Sequence, residues 1–175
     1  MVFVEGCIVA DPPQYQTPLR TRPVLDVYGA QPTATHALYV YTDTPTVQAP
    51  KFTVGVRSED AGEPLRAVFF LDYQMPQRGT QRGEYKLVSK TIPASTYDNK
   101  DRVAEYTWTP MTTKGCHYLS LVVAHRSSFL ESDEDHLDPR YADEDAAIVT
   151  WTIGLDPPIG GALENCPTAD NPIVP

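Results

Sequence analysis

Apolar residues in this chain recur at every second position, in short runs broken by turn-forming residues. No segment sustains a 3.6-residue rhythm for three turns, so the pattern predicts strands and no long helix. The clearest run is Gly115 to His125. His117, Leu119, Leu121 and Val123 fall on one face, and Tyr118, Ser120, Val122 and Ala124 on the other. Both faces are fairly apolar, which predicts the middle of a sheet rather than an edge. Leu65 to Tyr73 is also apolar on both faces and predicts a second central strand.

Lys51 to Arg57 places Phe52, Val54 and Val56 on one side; Arg102 to Pro110 does the same with Ala104, Tyr106 and Trp108, and Ala146 to Leu155 with Val149, Trp151 and Ile153. A short first strand from Pro23 to Tyr28 ends at Gly29, Thr35 to Tyr41 is an edge strand, and Glu84 to Lys90 is a polar one. Seven to eight strands at this spacing predict an all-β fold, an immunoglobulin-like antiparallel β-sandwich.

The chain has 175 residues, suited to one domain with a sizeable core. Its 17 prolines oppose long helices and favour turns, edges and tails. The expected organisation is an N-terminal tail over 1–23, a sandwich over 24–156 and a C-terminal tail over 157–175. Net charge is −9, unevenly placed: residues 131–145 hold eight acids and one base, while the rest carries 15 acids and 13 bases, a net of −2. The acidity therefore belongs to one long loop before the last strand, expected to be a solvated face. No basic stripe is present, which argues against nucleic acid as a partner.

Trp108-Thr109-Pro110, then Gly115, then Leu119-x-Leu121-x-Val123 is similar to the closing strands of bacterial immunoglobulin-like surface domains of the CARDB and PKD-like groups. The chain departs from them at His125, where an aspartate is common, and lacks the Trp-Asp-Phe-Gly-Asp-Gly run of the PKD group. The resemblance implies a binding, spacer or adhesion module and carries over no catalytic residue.

The three cysteines are Cys7, Cys116 and Cys166. Val4-Glu5-Gly6-Cys7 looks like the end of a bacterial lipobox, which makes Cys7 a candidate lipidation site and the prolines after it a tether. If 115–125 and 146–155 are antiparallel neighbours, Leu155 lies near Cys116, and the tail can bring Cys166 back to it. A Cys116–Cys166 disulfide is therefore expected, stabilising by ~4 kcal/mol in the chain-entropy account.

Within the acidic loop, Asp133, Asp135 and Asp138 are candidate oxygen ligands for calcium, although the spacing is not that of an EF-hand. Asp138-Pro139 suits the start of a short helix over 139–145. His136 among these acids is a weaker zinc candidate. His117 and His125 share a face but lie roughly 26 Å apart at strand rise, too far for one metal. His117 is expected to pack inward with a backbone partner. Ser127 and Ser128 near His125 and Asp133 are nucleophile-type residues, but recognised enzyme signatures are missing.

The reading that follows is a non-catalytic, cofactor-free binding or spacer module of a bacterial envelope, periplasmic or surface-exposed, recognising a protein or envelope component through its loops. It would meet the membrane only through a lipid on Cys7. The alternatives are a subunit that self-assembles by strand addition, with residues 8–28 as donor, and a small metal-dependent hydrolase.

Overall fold

Gly115–His125 is the middle strand of a five-stranded sheet, as its two apolar faces predict. The structure, a computed structural model, describes residues 20–42, 49–60, 62–72, 85–96, 101–109, 115–130 and 145–156. Among these, eight strands follow in chain order: β1 Val24–Gln31, β2 Leu38–Val40, β3 Lys51–Arg57, β4 Leu65–Leu71, β5 Tyr85–Ile92, β6 Asp101–Thr107, β7 Gly115–His125 and β8 Ala147–Leu155. One sheet has the order β1-β3-β6, the other β2-β8-β7-β4-β5.

The two sheets share one core. Phe52, Val54 and Val56 from β3 and Ala104 from β6 meet Ala67 and Phe69 from β4, Leu119, Leu121 and Val123 from β7, and Val149, Trp151 and Ile153 from β8. This is a β-sandwich. Alternation puts every second residue of each strand inside, where fully burying an aliphatic or aromatic side chain contributes about 1.5–3 kcal/mol. Trp108 and Trp151 are both fully buried. The Phe52 ring meets Trp151 edge-on, with centroids 5.2 Å apart. The outer face of β4 and β7 holds a second apolar cluster, Val68, Phe70, Val122 and Ala124, packed with Phe129 and Ala146. That cluster accounts for the apolar character of both faces of β7.

Several boundaries differ from the sequence pattern. β1 does not end at Gly29: the Asp26 carboxylate accepts the Gly29 N–H, the register slips, and pairing resumes at Gln31. β2 keeps only three residues and runs parallel to β8, so the sandwich is antiparallel except at that edge. β4 stops at Leu71 because Asp72 takes a left-handed conformation (φ 55°). Residues 20–23 are not a loose tether. Thr21 is hydrogen-bonded to Asp60 through backbone and hydroxyl, and Arg22 Nε donates to the Ala146 carbonyl. Residues 24–28 of the proposed strand donor are likewise committed, to β1 against β3.

Among the described residues no helix is long and apolar enough to cross a membrane. Cys7, Cys166, Asp133, Asp135, Asp138, His136 and most of the predicted 139–145 helix lie outside the described residues.

Candidate functional site

β7 is held at each end by a histidine and a carboxylate from elsewhere in the chain. At its start, Asp72 folds back from the end of β4. One carboxylate oxygen accepts the Tyr118 N–H at 2.9 Å, the other lies 2.9 Å from His117 Nδ1, and the Asp72 N–H donates to the Tyr118 carbonyl at 2.7 Å. His117 points inward as its alternation requires, and its Nδ1 faces this carboxylate.

The far end is more deeply buried. His125, fully inaccessible, ends β7, and Asp145, 4% exposed, precedes β8. Asp145 Oδ1 is 2.6 Å from His125 Nδ1. Its Oδ2 accepts the His125 N–H at 2.9 Å and the Ser128 hydroxyl at 2.5 Å. On the other side of the ring, Nε2 lies 3.1 Å from Asp60 Oδ2, close enough for charge attraction but not aligned as a hydrogen bond. Asp60 comes from the β3–β4 loop, which is tied to Ser95 by the Gly62 N–H and the Ser95 hydroxyl. Asp145 is therefore a correction to the sequence reading. The last acid of the presumed solvated run is a buried acceptor, because it faces the imidazole and N–H at the end of β7.

Burial disfavours the charged imidazole, but the hydrogen bond and charge of Asp145, with the charges of Asp60 and Glu63, outweigh it and raise the His125 pKa above its ordinary value. Burial likewise works against the Asp145 carboxylate. The hydrogen bonds from His125 and Ser128 prevail and lower its pKa. Both shifts favour the charged pair, and the ring lies between the side chains of Asp145 and Asp60. The arrangement is not a nucleophilic triad: the Ser128 hydroxyl is turned onto Asp145, and His125 Nε2 faces Asp60, so no serine–histidine pair is formed.

Directly outside this network is a cleft of about 630 Å³, lined by Arg20, Glu63, Arg66, Arg126, Ser127 and Phe129 among others. Arg66, from the outer face of β4, is buried, with its guanidinium 5.8 Å from the Phe129 ring centroid. Arg126 and Ser127, in the short 3-10 turn Arg126–Ser128, are exposed. Arg20 lies 3.4 Å from Glu63, both half-exposed. The sequence reading singled out His125, Ser127 and Ser128 but missed Asp60, Asp145 and the three arginines. Arg20, Arg66 and Arg126 are spread over more than a hundred positions, and only the topology brings them together.

Cys116 is the second residue of β7, opposite Gly154, with Gly115 opposite Leu155, as the topological argument expected. Its sulfur is bonded rather than free, and the other two cysteines lie outside the described residues. Among the described residues no group of three or more His, Cys, Asp or Glu side chains is arranged to hold a metal ion. No protein-family model matches the chain, and no curated protein matches it.

Proposed function

We propose that this chain is a non-catalytic, immunoglobulin-like binding module of a bacterial envelope, and that it recognises its partner through the loop end carrying the arginine-lined cleft. The observation that carries the reading is the convergence at one pole of the β3–β4 loop, the segment after β7 and residues 20–22, all pinned to the buried His125 network. Loops set on a rigid sandwich are where such folds place recognition.

Strand order supports the immunoglobulin-like part. The order β1-β3-β6 corresponds to A-B-E, and β8-β7-β4-β5 to G-F-C-C′. In that correspondence β3–β4 and β7–β8 are the B–C and F–G connections, which variable domains use for binding. The hallmarks of antibody domains are not carried over: β3 has no cysteine and β4 no tryptophan. Support for the non-catalytic part is the turning of Ser128 onto Asp145. Envelope location rests on Cys7 as a lipid site and on a Cys116–Cys166 bridge. Peptide mapping without reductant tests the bridge, and a linked peptide joining Cys116 to Cys7 instead would reject that pairing.

The test of recognition is site-specific photo-crosslinking in cells. A crosslinker at Ser127 is expected to capture a partner that one at Thr53, on the opposite sheet, does not. Equal capture from both sites, or none from Ser127, rejects the reading. Cys7→Ser is expected to move the protein from the membrane fraction to the soluble one.

A further inference from the structure

We propose that residues 20–22 form a strap across the loop end, held shut by one proton on His125 Nε2 and released when that proton passes to solvent.

The strap precedes β1 and is fastened by side chains rather than by sheet pairing. Arg20 lies 3.4 Å from Glu63, and Arg22 Nε donates to the Ala146 carbonyl. Between them, the Thr21 N–H and hydroxyl donate to the two carboxylate oxygens of Asp60 at 2.8 and 2.9 Å. Residues 20–22 are exposed, and the Arg20–Glu63 pair is screened by water. Asp60 Oδ2, which accepts from Thr21, is also the atom 3.1 Å from His125 Nε2. One carboxylate thus joins the strap to the buried ring.

The response depends on which ring nitrogen loses its proton. Nδ1 lies 2.6 Å from Asp145 Oδ1, and hydrogen bonds from His125 and Ser128 hold that carboxylate ionised. An ionised carboxylate only accepts, so Nδ1 keeps its proton in the charged and the neutral ring alike. Nε2 is therefore the nitrogen that titrates. Charged, it presents an N–H to Asp60. Neutral, it presents a lone pair to the same oxygen, and attraction turns to repulsion. Asp145 is fixed by the His125 N–H and the Ser128 hydroxyl. Asp60 is freer: its side chain is 18% exposed, and its contact with the ring is not aligned as a hydrogen bond. Asp60 therefore moves off the ring, and Thr21 moves with it.

Among the described residues, the charged groups facing the ring are Asp145 before β8 and Asp60 and Glu63 in the β3–β4 loop. β4 sets Leu65 opposite His125, the strap arginines end on Glu63 and the Ala146 carbonyl, and Arg126 is exposed. The three acids raise the His125 pKa against burial, so the strap is shut below that value and opens as pH rises through it. Arg20 and Glu63 line the neighbouring cleft, which opening the strap reshapes.

The test follows the full chain by NMR from about pH 5.5 to 9.5. It reads the His125 ring midpoint and, from carbon relaxation, which amide exchange does not limit, the backbone order at Thr21 and Thr53. The order parameter at Thr21 is expected to fall from about 0.85 to below about 0.6 as His125 loses its proton, while Thr53, on the opposite sheet, stays rigid. In Asp60→Asn the side-chain amide accepts from the charged ring and donates to the neutral one. The Thr21 transition is then expected to vanish and the His125 midpoint to fall. Thr21→Val, at an exposed position, is expected to lower order at residue 21 even below the midpoint. Unchanged order at Thr21 through the His125 midpoint, an equal loss at Thr53, a full transition in Asp60→Asn, or unaltered order in Thr21→Val overturns the inference. So does a ring that fails to titrate while the chain stays folded.

Discussion

His125 Nδ1 and Asp145 Oδ1 lie 2.6 Å apart, both groups buried, across twenty residues of chain. The pair closes the long β7–β8 connection at its base. Removing the charge of Asp145 takes the hydrogen-bonded partner from a buried imidazole and leaves it only the less well aligned Asp60 across the ring, and breaking a buried pair costs about 3–5 kcal/mol. Asp145→Asn is therefore expected to lower unfolding free energy by that amount in urea titrations. Asp72→Asn at the other end of β7 should cost only about 1 kcal/mol, since Asp72 is 41% exposed and asparagine tolerates the left-handed conformation. Equal losses in the two variants would contradict the difference in burial on which this rests.

The same pair makes stability depend on pH. The His125 pKa is raised in the folded state, so its contribution is fully present below the ordinary imidazole value of 6.5 and is lost as pH rises through the raised value. The Asp145 pKa is lowered, so its contribution is present above 3.8 and is lost as pH falls through the lowered value. The two windows overlap between roughly pH 4 and 6.5. The urea midpoint is expected to be highest there and to fall towards pH 9, with a limiting slope of about 1.4 kcal/mol per pH unit for one proton. His125→Gln should flatten that alkaline limb. A midpoint that stays level from pH 5.5 to 9 in the parent protein would show that the imidazole is not held charged.

The strands were legible because each rests on a local signal, the alternation of apolar and polar residues. Leu119, Leu121 and Val123 on β7 and Phe52, Val54 and Val56 on β3 are inward as read. Antiparallel pairing of β7 with β8, with Gly115 opposite Leu155, also follows from chain order and strand length. The site was not legible in this way. Asp145 looks like the end of a solvated acidic run until the fold sets it opposite His125, and Asp60 looks like an ordinary turn acid until its loop closes over the ring. Arg66 occupies an outward position on a strand whose outer face is itself buried, which alternation alone does not reveal. Charges paired across 20 to 65 positions leave no periodic trace.

The two tryptophans should respond differently to loss of the indole N–H. Both are fully buried. Trp151 Nε1 donates to the Pro32 carbonyl at 2.7 Å, whereas Trp108 Nε1 makes no hydrogen bond. Trp→Phe removes similar volume at each site. At 151 it also strands an acceptor, and at 108 it removes an unmet donor. Trp151→Phe is expected to be the more destabilising by about 1 kcal/mol, measured by chemical unfolding. The reverse order would mean that packing differences between the sites outweigh the hydrogen bond.

Gly115 opens β7 at φ +133°, a conformation L-residues rarely adopt, and a Cβ there would meet nothing within 4 Å. Space is therefore not the constraint, and the backbone is. Gly115→Ala should cost about 1–3 kcal/mol by forcing a side chain into that region or by shifting the entry to the strand. A shift would be felt next door. Leu155 sits opposite Gly115, and Cys116 follows it against Gly154, so the register of the β7–β8 pair would loosen from this end first. Amide exchange in Gly115→Ala is expected to quicken at Cys116 and Gly154 while Val123 and Ala124, near the His125 clamp, keep their protection. Uniform quickening along β7, or no loss of stability, would mean that the glycine conformation does not set where the strand begins.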